Sequence, residues 1–265
     1  MTTDLLAPIM RENVLRLLND NLRMDGRKAD EFRVIELQAP ILDKPSGSAL
    51  VKMGKTTVMA GVQIELGTPY PDTPDEGALS VNSEFLPLAD PEFEGGRPSD
   101  ESIELSRVVD RGIRESKAID MSKLVIESGK HVWMVYVDLW VLDSDGSLID
   151  AAGIAALAAL MNAKVKSAKV VGDKVEVGED SKPLPLKDHP VPCTVIKVGD
   201  KLVLDSTRAE EQGMDCRITV TTRADGAICA MQKGLAGSFT QEEIAKAIDY
   251  SVERGKQVRK LLKIK

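Results

Sequence analysis

The feature that most constrains this chain is an almost wholly apolar stretch over residues 148–165, LIDAAGIAALAALMNAKV, in which Asp150 is the one charged residue before Lys164. Its length and composition predict a helix, and a helix that is apolar on all sides is buried between other layers. No uninterrupted apolar run in the chain approaches the roughly 20 residues of a membrane span. The stretch therefore predicts the central helix of a layered core, in a protein without a membrane segment.

Strand patterns surround this helix. Alternating and β-branched segments predict strands, two of which flank a hairpin signal at Gly54-Lys55. The predicted strands lie at 32–37, 48–53, 56–66, 79–86, 123–127 and 132–142, and hairpins follow the helix at 170–177, 193–204 and 216–231. Runs of strands followed by a helix indicate an α+β fold rather than a doubly wound parallel sheet. We expect two βα subdomains with mixed sheets and packed helices.

Helix and linker signals divide the chain. Pro8 fits the first turn of an N-terminal helix, and the pattern breaks at 23–27. A proline-rich segment, SKPLPLKDHPVP, is the best linker candidate, and Thr240 with Glu243 forms a capping box that opens the last helix. We therefore predict an N-terminal helix in residues 1–22, a core subdomain in 23–185 and a C-terminal subdomain in 186–265.

Composition narrows the classes of function. With 35 basic and 42 acidic residues the net charge is −7, which argues against a surface that coats nucleic acid everywhere but leaves room for a local basic patch. Three cysteines are too few for a disulfide scaffold and indicate a reducing compartment. The first residues lack the pattern of a signal peptide. We expect a cytoplasmic protein.

The sequence offers little for metal or cofactor chemistry. His131 and His189 are its two histidines, and no cysteines have C-x-x-C spacing, so we expect no metal, no cofactor and no nucleophile–histidine triad. Four carboxylates between two predicted hairpins have two interpretations, an acid–base or metal cluster and a solvated loop, of which the solvated loop is favoured. They are Asp205, Glu210, Glu211 and Asp215.

Three arginines share one face of a predicted helix that Ser99 or Asp100 caps. Arg107, Arg111 and Arg114 recur at i, i+4 and i+7, nearly opposite the apolar stripe of that helix. A guanidinium stripe suits a phosphodiester backbone, because each fork binds a phosphate bidentately. With 3% aromatic residues for base stacking, such binding would be electrostatic and blind to sequence. The competing interpretation is a solvated face whose arginines pair with neighbouring carboxylates, namely Glu104, Asp110 and Glu115.

Three segments together resemble the ribonuclease PH family of phosphorolytic exoribonucleases: RMDGR at 23–27, GSALVKMGKTTVMAGV at 47–62 and ELSRVVDRGIRESKAID at 104–120. The likeness extends from residue 23 to the C-terminal helix. It implies two α+β subdomains and six-membered rings. The archaeal exosome is similar to such a ring, in which three copies of a catalytic subunit alternate with three copies of a non-catalytic one.

The resemblance also indicates which kind of subunit this is. Catalytic members carry Ala/Gly-Gly-Ser/Thr-Arg after the long central strand, where the hydroxyl and the arginine hold phosphate, and the match here ends in Leu148. The two catalytic aspartates, six residues apart, fall on Val203 and Ala209, although a shift of two residues would place Asp205 on the first. The segments LDSTRAEEQGMDCRITV and MQKGLAGSFTQEEI resemble the non-catalytic exosome subunit.

These likenesses imply a non-catalytic subunit of a phosphorolytic 3′–5′ RNA-degrading ring, without catalytic residues of its own. Its partners would be the catalytic subunit in a three-plus-three hexamer, the RNA-binding cap proteins and single-stranded RNA. Arg107 and Arg111 match family positions that contact RNA phosphates, and Arg114 extends that stripe. Two alternatives remain: an exoribonuclease active in its own right, and an unrelated α+β protein whose arginines are merely solvated.

Overall fold

The structure, a computed structural model, describes residues 3–172 and 174–264. These residues form five α-helices, twelve strands and one 3₁₀ turn (Met121–Leu124). The helices are α1 (Thr3–Asn19), α2 (Asp100–Glu115), α3 (Leu148–Asn162), α4 (Arg208–Gln212) and α5 (Gln241–Leu261). The strands are β1 (Ile35–Gln38), β2 (Gly47–Met53), β3 (Thr56–Gly67), β4 (Ala78–Phe85), β5 (Val125–Glu127), β6 (His131–Asp143), β7 (Lys164–Val171), β8 (Lys174–Pro183), β9 (Val191–Val198), β10 (Lys201–Leu204), β11 (Cys216–Thr222) and β12 (Ile228–Gly234).

The first sheet has the order β1-β2-β3-β6-β4, with β5 paired to the start of β6. Strands β3 and β6 run antiparallel along their whole length, whereas β4 runs parallel to β6 from Ala78 opposite Met134 to Phe85 opposite Val141. A parallel neighbour requires a crossover connection, and α2 lies in the connection between β4 and β6. This sheet is mixed, as the sequence predicts.

The second sheet has the order β10-β9-β11-β12, and every pair in it is antiparallel. The reason is local, since tight turns containing Gly199 (φ 62°) and Gly226 (φ 86°) join β9 to β10 and β11 to β12. The prediction of mixed sheets thus holds for the first sheet only. Helix α5 packs on this second sheet and begins at the predicted capping box of Thr240 and Glu243.

Helix α3 lies between the two sheets, with β2 and β3 on one side and β9 on the other. Twelve of its fifteen residues are buried, which confirms the predicted central helix. It ends at Asn162 rather than at residue 165, because the Asn162 side chain bonds both the N–H and the C=O of Ser48. The next residues leave the helix to form the β7–β8 hairpin. The hairpin predicted at 170–177 includes Asp173, which lies outside the described residues.

Helix α1 packs against the second sheet through Val14 and Leu18, which join Ile196, Val198 and Val203 in a small apolar cluster. Because the helix already begins at Thr3, the prediction that Pro8 lies in the first turn is wrong. Pro8 lies inside the helix instead, where it lacks the N–H that would bond the carbonyl four residues earlier.

Other differences from the predicted elements are small. Strand β1 begins at Ile35 rather than at residue 32, and residues 123–124 belong to the 3₁₀ turn rather than to a strand. The five-residue helix α4 was not predicted. Among the helices of the described ranges, none combines the length and the hydropathy needed to cross a membrane.

The first turn of α3 is tied to the second sheet by a buried carboxyl group. The Oδ2 atom of Asp150 accepts from the Thr194 N–H at 3.0 Å, and Oδ1 accepts from the Thr194 hydroxyl at 2.7 Å. Thr194 is in turn 2.9 Å from the Thr219 hydroxyl on the neighbouring strand. Burial raises the pKa of Asp150 to about 7, against the opposing effect of the two hydrogen bonds.

A raised pKa means that the folded protein holds the proton of Asp150 more tightly than the unfolded chain does. The protonated Asp150 therefore adds to the free energy of unfolding at acidic pH, and this contribution is lost as the pH rises towards 7. In Asp150→Asn the amide oxygen can accept from the Thr194 N–H while the NH2 group donates to the Thr194 hydroxyl. We expect the melting temperature of this variant, relative to that of the wild type, to be higher at pH 8 than at pH 5. Melting temperatures at the two pH values measure this, with the exposed Asp249→Asn as control. An Asp150→Asn difference that is the same at both pH values would contradict the prediction.

The contact between α3 and β2 generates a second prediction. A Cβ on Gly47 would collide with the Ala159 carbonyl oxygen and, at 2.7 Å, with the Ala163 Cα, both of them backbone atoms. Overpacking of this kind costs about 1–3 kcal/mol, so Gly47→Ala should lower the free energy of unfolding by that amount. Gly61→Ala on the adjacent strand is the matched control, since nothing lies within 4 Å of its Cβ. Equal stability of the two variants in denaturant titrations would show that α3 does not pack this closely.

Candidate functional site

Helix α2 presents the three predicted arginines. Ser99 caps the helix by accepting from the Ser102 N–H at 3.1 Å, as predicted, and Asp100 and Glu101 lie in its positive first turn. The buried face of α2 packs on β4, α3 and β12, which leaves the opposite face free. The arginine stripe lies on that opposite face.

Arg107, Arg111 and Arg114 all line one open groove of about 880 Å³, together with Tyr70 and Gln232. Arg107 and Arg111 are exposed, and neither forms a salt bridge within residues 3–172 and 174–264. The Nη1 atom of Arg111 donates to the Gln232 Oε1 at 3.2 Å, which orients its side chain along the groove. The structure therefore brings the three arginines together and leaves two of them electrostatically unsatisfied.

Arg114 is bound differently from its neighbours. It forms a bidentate pair with Asp110, at 3.0 and 2.8 Å, and donates to the Leu79 carbonyl at 3.0 Å. The hydrogen bonds and charge of Asp110 raise the pKa of Arg114, against a smaller effect of burial. Arg114 therefore pairs with a neighbouring carboxylate on the helix, as the competing interpretation predicts for the whole stripe. Its bond to the Leu79 carbonyl also links α2 to β4.

A second cavity, of about 370 Å³, opens at the N-terminus of α3 and is lined by Leu148. Its lining also includes apolar residues such as Phe85 and Met214, acidic residues such as Glu101, uncharged polar residues and two arginines. Both arginines of its lining are paired. Arg217 lies 2.6 Å from the Glu104 carboxylate, and Arg208 lies 2.5 Å from Glu92 and 3.2 Å from Asp90.

Glu211 closes one side of this cavity. Its Oε1 atom accepts from the Ser147 N–H at 2.8 Å and from the Ser206 hydroxyl at 2.9 Å. Burial raises the pKa of Glu211, and these two hydrogen bonds oppose that effect. Nothing local in the sequence identifies this contact, because Ser147 and Glu211 are 64 residues apart.

Asp205 and Glu210 are buried, so the prediction of a solvated loop is wrong for them. Asp205 accepts a bidentate pair from Arg33, with contacts of 2.6 to 3.1 Å, and a further bond from Arg27 at 2.8 Å. Burial would raise the pKa of Asp205, but the bonds and charges of these arginines hold it below its ordinary value. Glu210 forms a buried pair with Arg23 at 2.6 Å.

The remaining candidates do not assemble into a reactive or metal-binding centre. Asp215 pairs with Arg11 at 3.0 Å, and His131 and His189 lie at the start of β6 and between β8 and β9. Within the described ranges, no three His, Cys, Asp or Glu side chains are grouped to hold a metal ion. The three cysteines are free thiols, and burial raises the pKa of Cys229 to about 11.

Known proteins share both halves of this architecture. Residues 31–166 match the RNase PH model described as 3′ exoribonuclease family, domain 1, and residues 188–254 match domain 2 of the same family. The chain is 49% identical over 264 residues to the exosome complex component Rrp42 of Methanopyrus kandleri, covering 99% of both chains. It is 50% identical over 258 residues to the protein of that name from Thermoplasma acidophilum, covering 97% of this chain and 96% of the relative.

A solved structure gives the same result in three dimensions. A chain of the Archaeoglobus fulgidus exosome, described with RNA bound to the active site, superposes with a TM-score of 0.88 at 44% identity. The superposition covers 97% of this chain and 98% of that one. The chain belongs to the RNase PH family of 3′ exoribonucleases.

Proposed function

We propose that this chain is the non-catalytic subunit of an archaeal exosome ring, which binds RNA and structures the active site of a catalytic partner during phosphorolytic 3′–5′ degradation. Two relatives with about half of its residues in common carry the name of an exosome component. Its fold matches a chain from an exosome with bound RNA. The chemistry would be attack of inorganic phosphate on the 3′-terminal phosphodiester, at a site that must neutralise both anions.

The observation that carries the non-catalytic assignment is the lining of the Leu148 cavity. Catalytic members place an arginine at this position to hold phosphate, and the side chain of Leu148 supplies neither a cation nor an N–H donor. The two arginines of this lining are already neutralised, Arg208 by Asp90 and Glu92 and Arg217 by Glu104. The cavity as it stands would repel phosphate.

The RNA-binding assignment rests on Arg107 and Arg111. Their guanidinium groups are exposed, lie on one helix face and lack a carboxylate partner among the described residues. Such groups bind phosphates without regard to base sequence. Arg114 is neutralised by Asp110, so it would join RNA binding only by giving up that pair.

The remaining partners follow from the family resemblance. The chain would alternate with the catalytic subunit in a ring of three plus three, and RNA-binding cap proteins would sit on that ring in the cytoplasm. Strands β1 and β4 at the ends of the first sheet, and β10 and β12 at the ends of the second, leave backbone groups for contacts between subunits.

The alternative, an exoribonuclease active in its own right, depends on the acidic residues. A register shift of two residues that places Asp205 on the first catalytic acid also places Glu211 on the second. Asp205 is fully buried and held ionised by Arg27 and Arg33, and Glu211 is bound to Ser147 and Ser206. The burial and ion pairs of Asp205, and the two donors already bound to Glu211, favour the non-catalytic role.

Replacing Arg107 and Arg111 together with alanine should weaken RNA binding by the assembled ring. A charge-assisted contact is worth about 1.5–3 kcal/mol when desolvated and less in an open groove, so we expect a loss of about tenfold to a hundredfold in affinity. The dependence of log K on log salt should flatten by about 0.7 per lost contact for a single strand. Titrations of RNA at several salt concentrations measure both quantities.

The matched control is Lys166→Ala with Lys169→Ala, which removes the same charge from exposed positions on the β7–β8 hairpin. It should leave affinity and salt dependence close to those of the wild type. If the arginine variant forms an intact ring with unchanged affinity and slope, the stripe is only a solvated face. If the ring itself dissociates, the arginines are structural.

A further inference from the structure

The N-terminus of α3 already holds an anion. A fifteen-residue helix carries a partial positive charge at this end, and its free N–H groups are a general binding site for oxyanions. Here the N-cap residue Ser147 donates its N–H to the Glu211 carboxylate at 2.8 Å. The carboxylate comes from α4, and it binds the Ser147 N–H, where a soluble anion would approach this helix end.

A second observation points to a ligand at the same place. Ser147 is 2% exposed and lines the cavity, and its Oγ atom has no hydrogen-bond partner among the described residues. A buried hydroxyl without a partner costs free energy, so such groups normally face a ligand or an ordered water. The backbone of Ser147 is also held at φ 53°, in the left-handed region that serine rarely adopts.

The surrounding backbone fixes Glu211 in this position. Thr207 is the N-cap of α4: its N–H donates to the Glu210 Oε2 at 2.8 Å, and its carbonyl accepts from the Glu211 N–H at 3.0 Å. The Ser206 hydroxyl donates to the same carboxylate oxygen, Oε1, as the Ser147 N–H. Gly146 (φ 78°) lies so close that a Cβ there would collide with the Ser206 carbonyl oxygen and, at 2.6 Å, with the Thr207 carbonyl carbon. The loop before α3 and the loop before α4 are thus in direct contact.

We propose that Glu211 is a built-in anion that fills an oxyanion site formed by Ser147 and the N-terminus of α3, and thereby excludes inorganic phosphate from it. This inference rests on the proposed non-catalytic function and supplies a cause for it beyond the absence of an arginine at Leu148. Phosphate would then be kept out because a side chain of the protein occupies the site. Removing the carboxylate should expose a site that binds phosphate.

The test uses the full chain without RNA or partner, with inorganic phosphate as the probe. Glu211→Ala should show a saturable rise in melting temperature with phosphate at constant ionic strength, whereas the wild type should show none. Isothermal titration should give a phosphate affinity at least about tenfold above that of the wild type. Adding Ser147→Ala to Glu211→Ala should weaken this affinity again, because the free hydroxyl is a predicted ligand.

The matched control is Glu101→Ala, which removes one carboxylate from the same cavity without touching Ser147. Glu211→Gln is the second variant, because it keeps the volume and the acceptor that support the fold while it removes the charge. It should bind phosphate less tightly than Glu211→Ala and more tightly than the wild type.

Two results would overturn the proposal. A gain in phosphate affinity that is equal for Glu101→Ala and Glu211→Ala would show a general effect of charge rather than a filled site. Folded Glu211→Ala and Glu211→Gln variants without any response to phosphate would show that the α3 N-terminus binds no oxyanion. Neither result bears on RNA binding by Arg107 and Arg111, so failure of this inference is distinguishable from failure of the proposed function.

Discussion

The burial of α3 between the two sheets is the constraint on which the rest of this structure depends. A helix with almost no polar surface has no stable position in water, so both sheets must cover it, β2 and β3 from one side and β9 from the other. Close packing at Gly47 and the hydrogen bonds of Asp150 to Thr194 then fix the relative position of the sheets. The same arrangement brings the N-terminus of α3 against the segment that carries Glu211. The burial of α3 therefore determines both the core and the cavity at this end of the helix.

A set of buried ion pairs reinforces this arrangement and bears on function. Arg23, Arg27 and Arg33, near the start of the chain, bind Glu210 and Asp205 from the C-terminal half. Removing one partner of a buried pair leaves an uncompensated charge and costs about 3–5 kcal/mol, so these carboxylates are required where they are. They are therefore committed to the fold. In the proposed role, acid chemistry belongs to the partner subunit, while this chain contributes the exposed arginines of α2.

The parts of the fold with strong local patterns could be predicted from the sequence. The apolar run of α3, the capping box of Thr240 and the i, i+4, i+7 spacing of the arginines each depend on neighbouring residues alone. The carboxylates could not be predicted this way. Asp205 reads as part of a polar loop, and its burial depends on Arg33, 172 residues away in sequence. For the same reason the contact of Glu211 with Ser147 has no local signal.

In the proposed role, this chain binds RNA without performing the cleavage, so phosphorolysis by the purified chain is the decisive assay. The measurement is release of nucleoside diphosphates from single-stranded RNA, with and without inorganic phosphate, by the chain alone and after mixing with a catalytic ring subunit. We expect no phosphate-dependent product from the chain alone and robust product from the mixture. Phosphate-dependent release of nucleoside diphosphates by the chain alone, free of any partner, would contradict it.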